Sequence, residues 1–157
     1  PEPAPTITRN ERTLLKALIT NVPCELRISH DVTAQFTAQY RPEVTTIYVR
    51  QSMDGPDLFR GLSQELALAH MNAPDYKRSE NCWAAYCVSY ILCKRYGIAV
   101  DTYDFNDIPA AYRKMDAKEI RSELTKIRKV SNDITNQMNR VMEDLQKKPK
   151  ERDDGAR

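Results

Sequence analysis

The sequence predicts an α+β fold, and three observations carry that prediction. β-branched and aromatic residues with stretches of period-two alternation are confined to one segment, CELRISHDVTAQFTAQYRPEVTTIYVRQ at 24–51. Before and after it, apolar residues recur at steps of three and four, the spacing of one helical face. The last third carries an apolar heptad stripe longer than the core of a 157-residue chain requires.

Residues 9–20, RNERTLLKALIT, place Leu14, Leu15, Leu18 and Ile19 on one face, with Asn10 as the expected N-cap and Asn21-Val22-Pro23 as the stop. Strands are expected near 24–29, 34–40 and 45–50. The last two join in a hairpin at Arg41-Pro42-Glu43-Val44, giving a small antiparallel sheet packed on helices. The turn around Ser52, Asp54, Gly55 and Pro56 opens a helix containing LFRGLSQELALAHM, 58–71, which ends at Asn72-Ala73-Pro74. The polar stretch DYKRSE leads to a second helix over 80–96, stopped by Gly97. After YDFNDIP a short helix covers about 108–115, and Asp116 caps a long one. Its stripe is Ile120, Leu124, Ile127, Ser131, Ile134, Met138, Val141 and Leu145. At 1.5 Å per residue its ~28 residues reach roughly 42 Å. The stripe is expected to bury Ile120, Leu124 and Ile127 against the domain, while the half from Ile134 to Leu145 wraps onto the first helix or pairs with a second copy.

Apolar residues make up 41% and charged residues 29%, values of a folded globular chain. The longest apolar stretch, Cys82 to Cys93, is interrupted by Ser89 and is too short to span a bilayer. The Pro-rich opening at 1–8 reads as a linker, 9–146 as one domain and 147–157 as a disordered tail without apolar anchors. The missing initiator Met fits a piece of a longer protein, and a cytoplasmic location is the default without a signal peptide. Cys24, Cys82, Cys87 and Cys93 form no CxxC pair and read as free thiols packed as small hydrophobes.

The chemistry-bearing segment is LFRGLSQELALAHM. A zinc-peptidase helix carries two His at i and i+4, one face binding one metal, with a Glu at i+1 to polarise metal-bound water. Together, AQYRPEVTTIYVR at 38–50, this helix and ENCWAAYCVSYILCKRYGI at 80–98 resemble the zincin-like metallopeptidase-fold domain of the ArdC antirestriction proteins and, more broadly, LtrC-like proteins of conjugative elements. That resemblance covers about residues 10–100 and implies a zincin-like α+β core. Transferred position by position, it sets Gln64, Leu68 and Tyr86 where the metal ligands stand and Glu65 where the general base stands. Gln is a poor zinc ligand, Leu offers no donor, and a phenol must lose its proton to bind a metal. The implied protein is thus a degenerate, non-catalytic zincin-like domain with no metal or cofactor, part of a larger mobile-element protein.

Glu65 itself, flanked by Leu62, Leu66, Leu68 and Ala69, is expected to be ion-paired or hydrogen-bonded, holding the hairpin on the helix. His70 is expected to serve the helix C-terminus. The competing reading is a metal-dependent hydrolase with a rearranged site around Glu65 and His70. Partners expected from the sequence are other domains of a parent protein, a second copy through the 116–146 helix, and DNA; no membrane is expected. Between Arg113 and Arg152 there are 12 Lys or Arg against 7 Asp or Glu. Arg121, Lys126, Arg128, Lys129 and Arg140 are the candidate nucleic-acid contacts, with a solvated polar face as the alternative.

Overall fold

A computed structural model describes residues 8–29, 37–51, 53–72 and 77–155, with side chains up to 147. Helix α1 (Arg9–Ile19) starts on a capping box: Thr8 Oγ1 accepts from Glu11 N–H and Glu11 Oε2 accepts from Thr8 N–H. Two of the orphan donors of the first turn are answered reciprocally, which is why the cap is Thr8 rather than Asn10.

Strands β1 (Glu25–Ser29), β2 (Ala38–Arg41) and β3 (Thr46–Arg50) form a sheet in the order β1-β3-β2. β2 and β3 are antiparallel, joined by a 3₁₀ turn at Pro42–Val44 that closes on Thr45 in the left-handed region. β1 pairs with β3 in parallel, so the sheet is mixed and not antiparallel throughout. The connection that makes this possible includes residues 30–36, which lie outside the described residues, as does His30.

Helix α2 (Gly55–His70) has Pro56 in its first turn, where a missing N–H is harmless. Its Phe59, Leu62, Leu66, Ala67, Leu68 and Ala69 are buried. Helix α3 (Arg78–Tyr96) packs on it through small residues, Ser63 facing Ser89 with their hydroxyls 2.7 Å apart, and Ala84, Ala85 and Val88 fully buried. Gly97 ends α3 with φ +73°, the left-handed conformation a glycine adopts without Cβ strain. Short α4 (Ala110–Arg113) precedes α5 (Ala117–Gly155).

Helix α5 braces the other helices. Ile127, Val130, Ile134, Met138 and Val141 are buried in the common core with Leu15 and Leu18 of α1 and Leu92 of α3. The polar interruption, Ser131, is buried and donates to the Ile127 carbonyl at 2.7 Å, so it leaves no orphan hydroxyl. Arg95 donates to Thr135 Oγ1 at 2.7 Å and Tyr96 to Asn139 Oδ1 at 2.8 Å, while Lys126 reaches Asn81 at 3.2 Å. α3 and α5 therefore run in the same direction.

That register corrects one expectation. Ile120 and Leu124 are 42% and 56% exposed, because α3 begins only at Arg78, near Lys126, and the first two turns of α5 project past it. The stripe from Ile127 to Val141 is covered within the chain by α1 and α3, which takes from a second copy most of the apolar face it would use. At the other end the backbone stays helical to Gly155, past the expected end at 146 and into the expected tail. No helix among the described residues is long and apolar enough to cross a membrane.

Met138→Ala should lower stability by about 2–5 kcal/mol, and Leu124→Ala should change it by less than about 0.5 kcal/mol. Urea unfolding of the two variants checks the contrast; equal losses would mean that the projecting turns of α5 are packed.

Candidate functional site

Three successive turns of α2 present Asp57, Arg60, Gly61, Gln64 and Glu65 along one side, since positions three and four apart share a helical face. Across from them stand Thr37 and Ala38 at the sheet edge, Tyr86 of α3, and Thr102 and Tyr103, enclosing a cleft of about 260 Å³. Gly61 sets how close the helix comes to the sheet: a Cβ there would lie 2.7 Å from Thr37 Cβ.

At the inner end of the cleft, Glu65 is 2% exposed. Its Oε1 accepts from the Tyr40 backbone N–H of β2 at 2.7 Å and from Arg78 Nη1 at 2.7 Å, and its Oε2 accepts from Arg78 Nη2 at 2.8 Å. The fork of the guanidinium matches the carboxylate oxygen for oxygen, the geometry in which such pairs are strongest. Both oxygens are thereby committed to fixed donors on two other elements. Tyr40 N–H is available because β2 is an edge strand; its neighbours Gln39 and Arg41 face β3.

Asp57, Arg60, Tyr103 and Tyr86 of the cleft are also engaged. Arg60 pairs with Asp57 at 2.6 Å and donates to the Ala99 carbonyl at 2.8 Å. Tyr103 is hydrogen-bonded to Ser89, whose hydroxyl also donates to the Arg60 carbonyl at 3.0 Å, and its phenol is pushed well up, chiefly by burial. Tyr86 accepts from Asp104 N–H at 2.7 Å, so its hydroxyl is turned to the 101–109 connection and not to Gln64 or Glu65.

Of the three positions aligned with zincin ligands, Gln64 and Tyr86 line the cleft and Leu68 is fully buried in the core behind it. Among the described residues no three His, Cys, Asp or Glu side chains assemble into a metal-binding group. The cysteines are free, and burial pushes the thiols of Cys24 and Cys87 up to about 11, away from the thiolate form that binds metals.

No family model matches the chain, and no curated protein or solved structure matches it.

His70 does not join Glu65. As the last residue of α2 it lines a separate cavity of about 510 Å³ with Asn21, Asp133, Arg140 and Asp144, and its Nε2 is buried without a hydrogen-bond partner. Burial holds its pKa below the usual histidine value; Asp133 opposes that shift and Lys129 adds to it. A neutral ring adds no charge to the helix terminus at neutral pH. Of the basic candidates, Lys126 pairs with Glu123 and Lys129 with Asp133, both at 2.9 Å, and Arg140 lines the His70 cavity. Arg121 and Arg128 are exposed on another part of the helix surface. At about 100° per residue the five spread over nearly half the circumference of α5, not along one stripe.

Sequence reasoning missed Arg78, which sits in a segment that reads as a polar loop. The available signal was indirect: a carboxylate among four apolar neighbours requires a cation to bury.

Two outcomes follow from this geometry. Glu65→Gln should cost roughly 1–3 kcal/mol and Arg78→Met roughly 3–5 kcal/mol, the latter because it strands a buried carboxylate. The double variant should cost less than the sum in denaturant unfolding; strict additivity would show that the two side chains do not interact. For His70, neither folded nor unfolded chain is charged above pH 6.5. As pH falls through that value the unfolded chain takes the proton first, so stability declines until the lower folded-state pKa is passed. His70→Gln should flatten the fall of unfolding free energy as pH drops below 6.5; an unchanged slope would contradict the assignment.

Proposed function

We propose that this chain is a degenerate, non-catalytic zincin-like domain of a larger conjugation-associated protein of the ArdC and LtrC type, working as a protein-interaction module. The observation that carries the reading is the state of Glu65. At the position the resemblance gives to the general base, the carboxylate is clamped by Arg78 and Tyr40 N–H. A general base needs hydrogen-bond reach to a water or substrate proton, and a buried fork of fixed donors serves packing instead. The donor set at the ligand positions agrees with that: an amide, an aliphatic side chain and a phenol offer zinc no strong ligand. The rearranged hydrolase reading loses its geometry, since Glu65 faces β2 and α3 while His70 faces α5. DNA binding through α5 has less support than protein binding, because two of its five cations are paired with carboxylates and the set is scattered.

Zinc titration by calorimetry, beside Gln64→His/Leu68→His/Tyr86→Glu, tests the reading. The unmutated chain should show no saturable uptake, and the triple variant should gain affinity by at least about tenfold, with its fold verified by circular dichroism. Zinc-dependent hydrolysis by the unmutated chain that vanishes in Glu65→Gln without loss of fold would sink the proposal.

A further inference from the structure

The two edges of the sheet differ. On the β2 edge the outward Tyr40 N–H is already taken by Glu65. On the other side of β3 the outer strand is β1, whose backbone groups alternate in direction along the strand. Glu25 N–H donates to the Thr45 carbonyl at 3.0 Å, so the N–H and C=O groups of Glu25, Arg27 and Ser29 turn to β3 and those of Leu26 and Ile28 turn outward. Among the described residues nothing hydrogen-bonds to Leu26 or Ile28 on that outer side.

The side chains of β1 divide in the same register. Leu26 and Ile28 share the face of their β3 partners, Ile47 and Val49, which is the face turned to the core. Leu26 is half-buried there, but Ile28 overhangs the core and is 73% exposed, more than any other large apolar side chain among the described residues. Glu25 and Arg27 stand on the opposite face, 3.3 Å apart, each with about two-thirds of its side chain exposed. An exposed pair of this kind adds little stability, so either charge takes another partner at small cost. An open strand edge is a template for a further strand unless Pro, Lys or charges of one sign blunt it. β1 contains no Pro and no Lys, and its two charges are of opposite sign.

We propose that β1 pairs antiparallel with β1 of a second copy of this chain, about a twofold axis that passes normal to the sheet at Leu26. Such an axis keeps both core-facing sides of the joined sheet on one side. Outward-turned residues must meet outward-turned residues, which confines the axis to a residue and not to a point between two. An axis at Arg27 would set two guanidinium groups opposite each other, one at Glu25 would do the same with two carboxylates, and one at Ile28 leaves Glu25 opposite no strand residue. The axis at Leu26 sets Glu25 of each copy opposite Arg27 of the other and Ile28 opposite Cys24, while the two Leu26 residues exchange both backbone hydrogen bonds. Self-complementary charge is what selects a second copy over an unrelated strand. The inference stands apart from the zincin reading, since the second copy docks on β1 and not on the cleft.

Sedimentation equilibrium of the whole chain, from about 1 µM to about 1 mM, should show a monomer passing to a dimer with Kd below about 100 µM. Arg27→Glu and Glu25→Arg each set like charges opposite one another, and each should weaken the dimer by about tenfold or more. An equimolar mixture of those two variants should associate about as tightly as the unmutated chain, and so should Glu25→Arg/Arg27→Glu alone, because both restore opposed signs in the Leu26 register. Ile28→Pro removes an outward N–H that the single chain does not use, and should leave a folded monomer by circular dichroism. If Ile28→Pro fails to fold, the charge variants, at exposed positions, decide the matter. A chain that stays monomeric to about 1 mM would overturn the proposal. So would a dimer that Arg27→Glu leaves unchanged, or a mixture of the two charge variants that fails to associate.

Discussion

Burying one carboxylate in the middle of α2 constrains much of what surrounds it. Glu65 is isolated from water, and a charge in that position is tolerable only if its oxygens are met by donors of good geometry. Those donors come from two other elements: the edge strand through Tyr40 N–H, and the first residue of α3 through Arg78. The position of the hairpin and the entry of α3 are therefore fixed relative to α2 by one side chain. Such a clamp adds little net stability compared with an apolar isostere, but it penalises every arrangement that separates the three partners. It specifies geometry more than it supplies energy.

Around that clamp the packing is made close by small residues. Ser63 and Ser89 let α2 and α3 approach until their hydroxyls bond, and the bond network continues through Tyr103 to the floor of the cleft. The same closeness squeezes the large side chains of α3 outward. Trp83, Tyr86 and Tyr90 have no room between the helices and collect on the outer surface, where the 101–109 connection partly covers them. The cleft beside α2 and the cavity beside Trp83 thus lie at two ends of one aromatic cluster. Helix α5 completes the core from the far side, closing on α1 and α3 and leaving its first turns outside.

The charges of these two concave sites are paired. In the cleft, Arg60 is held by Asp57 and Ala99, and Glu65 by Arg78 and Tyr40, so its charges are matched internally. In the cavity by Trp83 the walls are Trp83, Tyr112 and Met115, and its carboxylates are paired, Glu123 with Lys126 and Glu80 with Lys77.

The sequence by itself determined the elements and their order. Helical spacing, the Pro and Gly stops, and the one β-rich segment located all three strands and the main helices, because periodicity and turn chemistry are local properties. It also determined that Gln64, Leu68 and Tyr86 lack zinc-ligand chemistry, which depends only on side-chain type. Tertiary structure alone decided who meets whom: that β1 joins β3 in parallel, that Arg78 from a polar stretch is the partner of Glu65, that His70 turns to α5, and that Ile120 and Leu124 fall outside the core. Each of these depends on the relative placement of elements distant in the chain. A heptad stripe reads the same whether or not a neighbouring helix is long enough to cover it, and a lone carboxylate does not say which of 24 Lys and Arg side chains will pair with it.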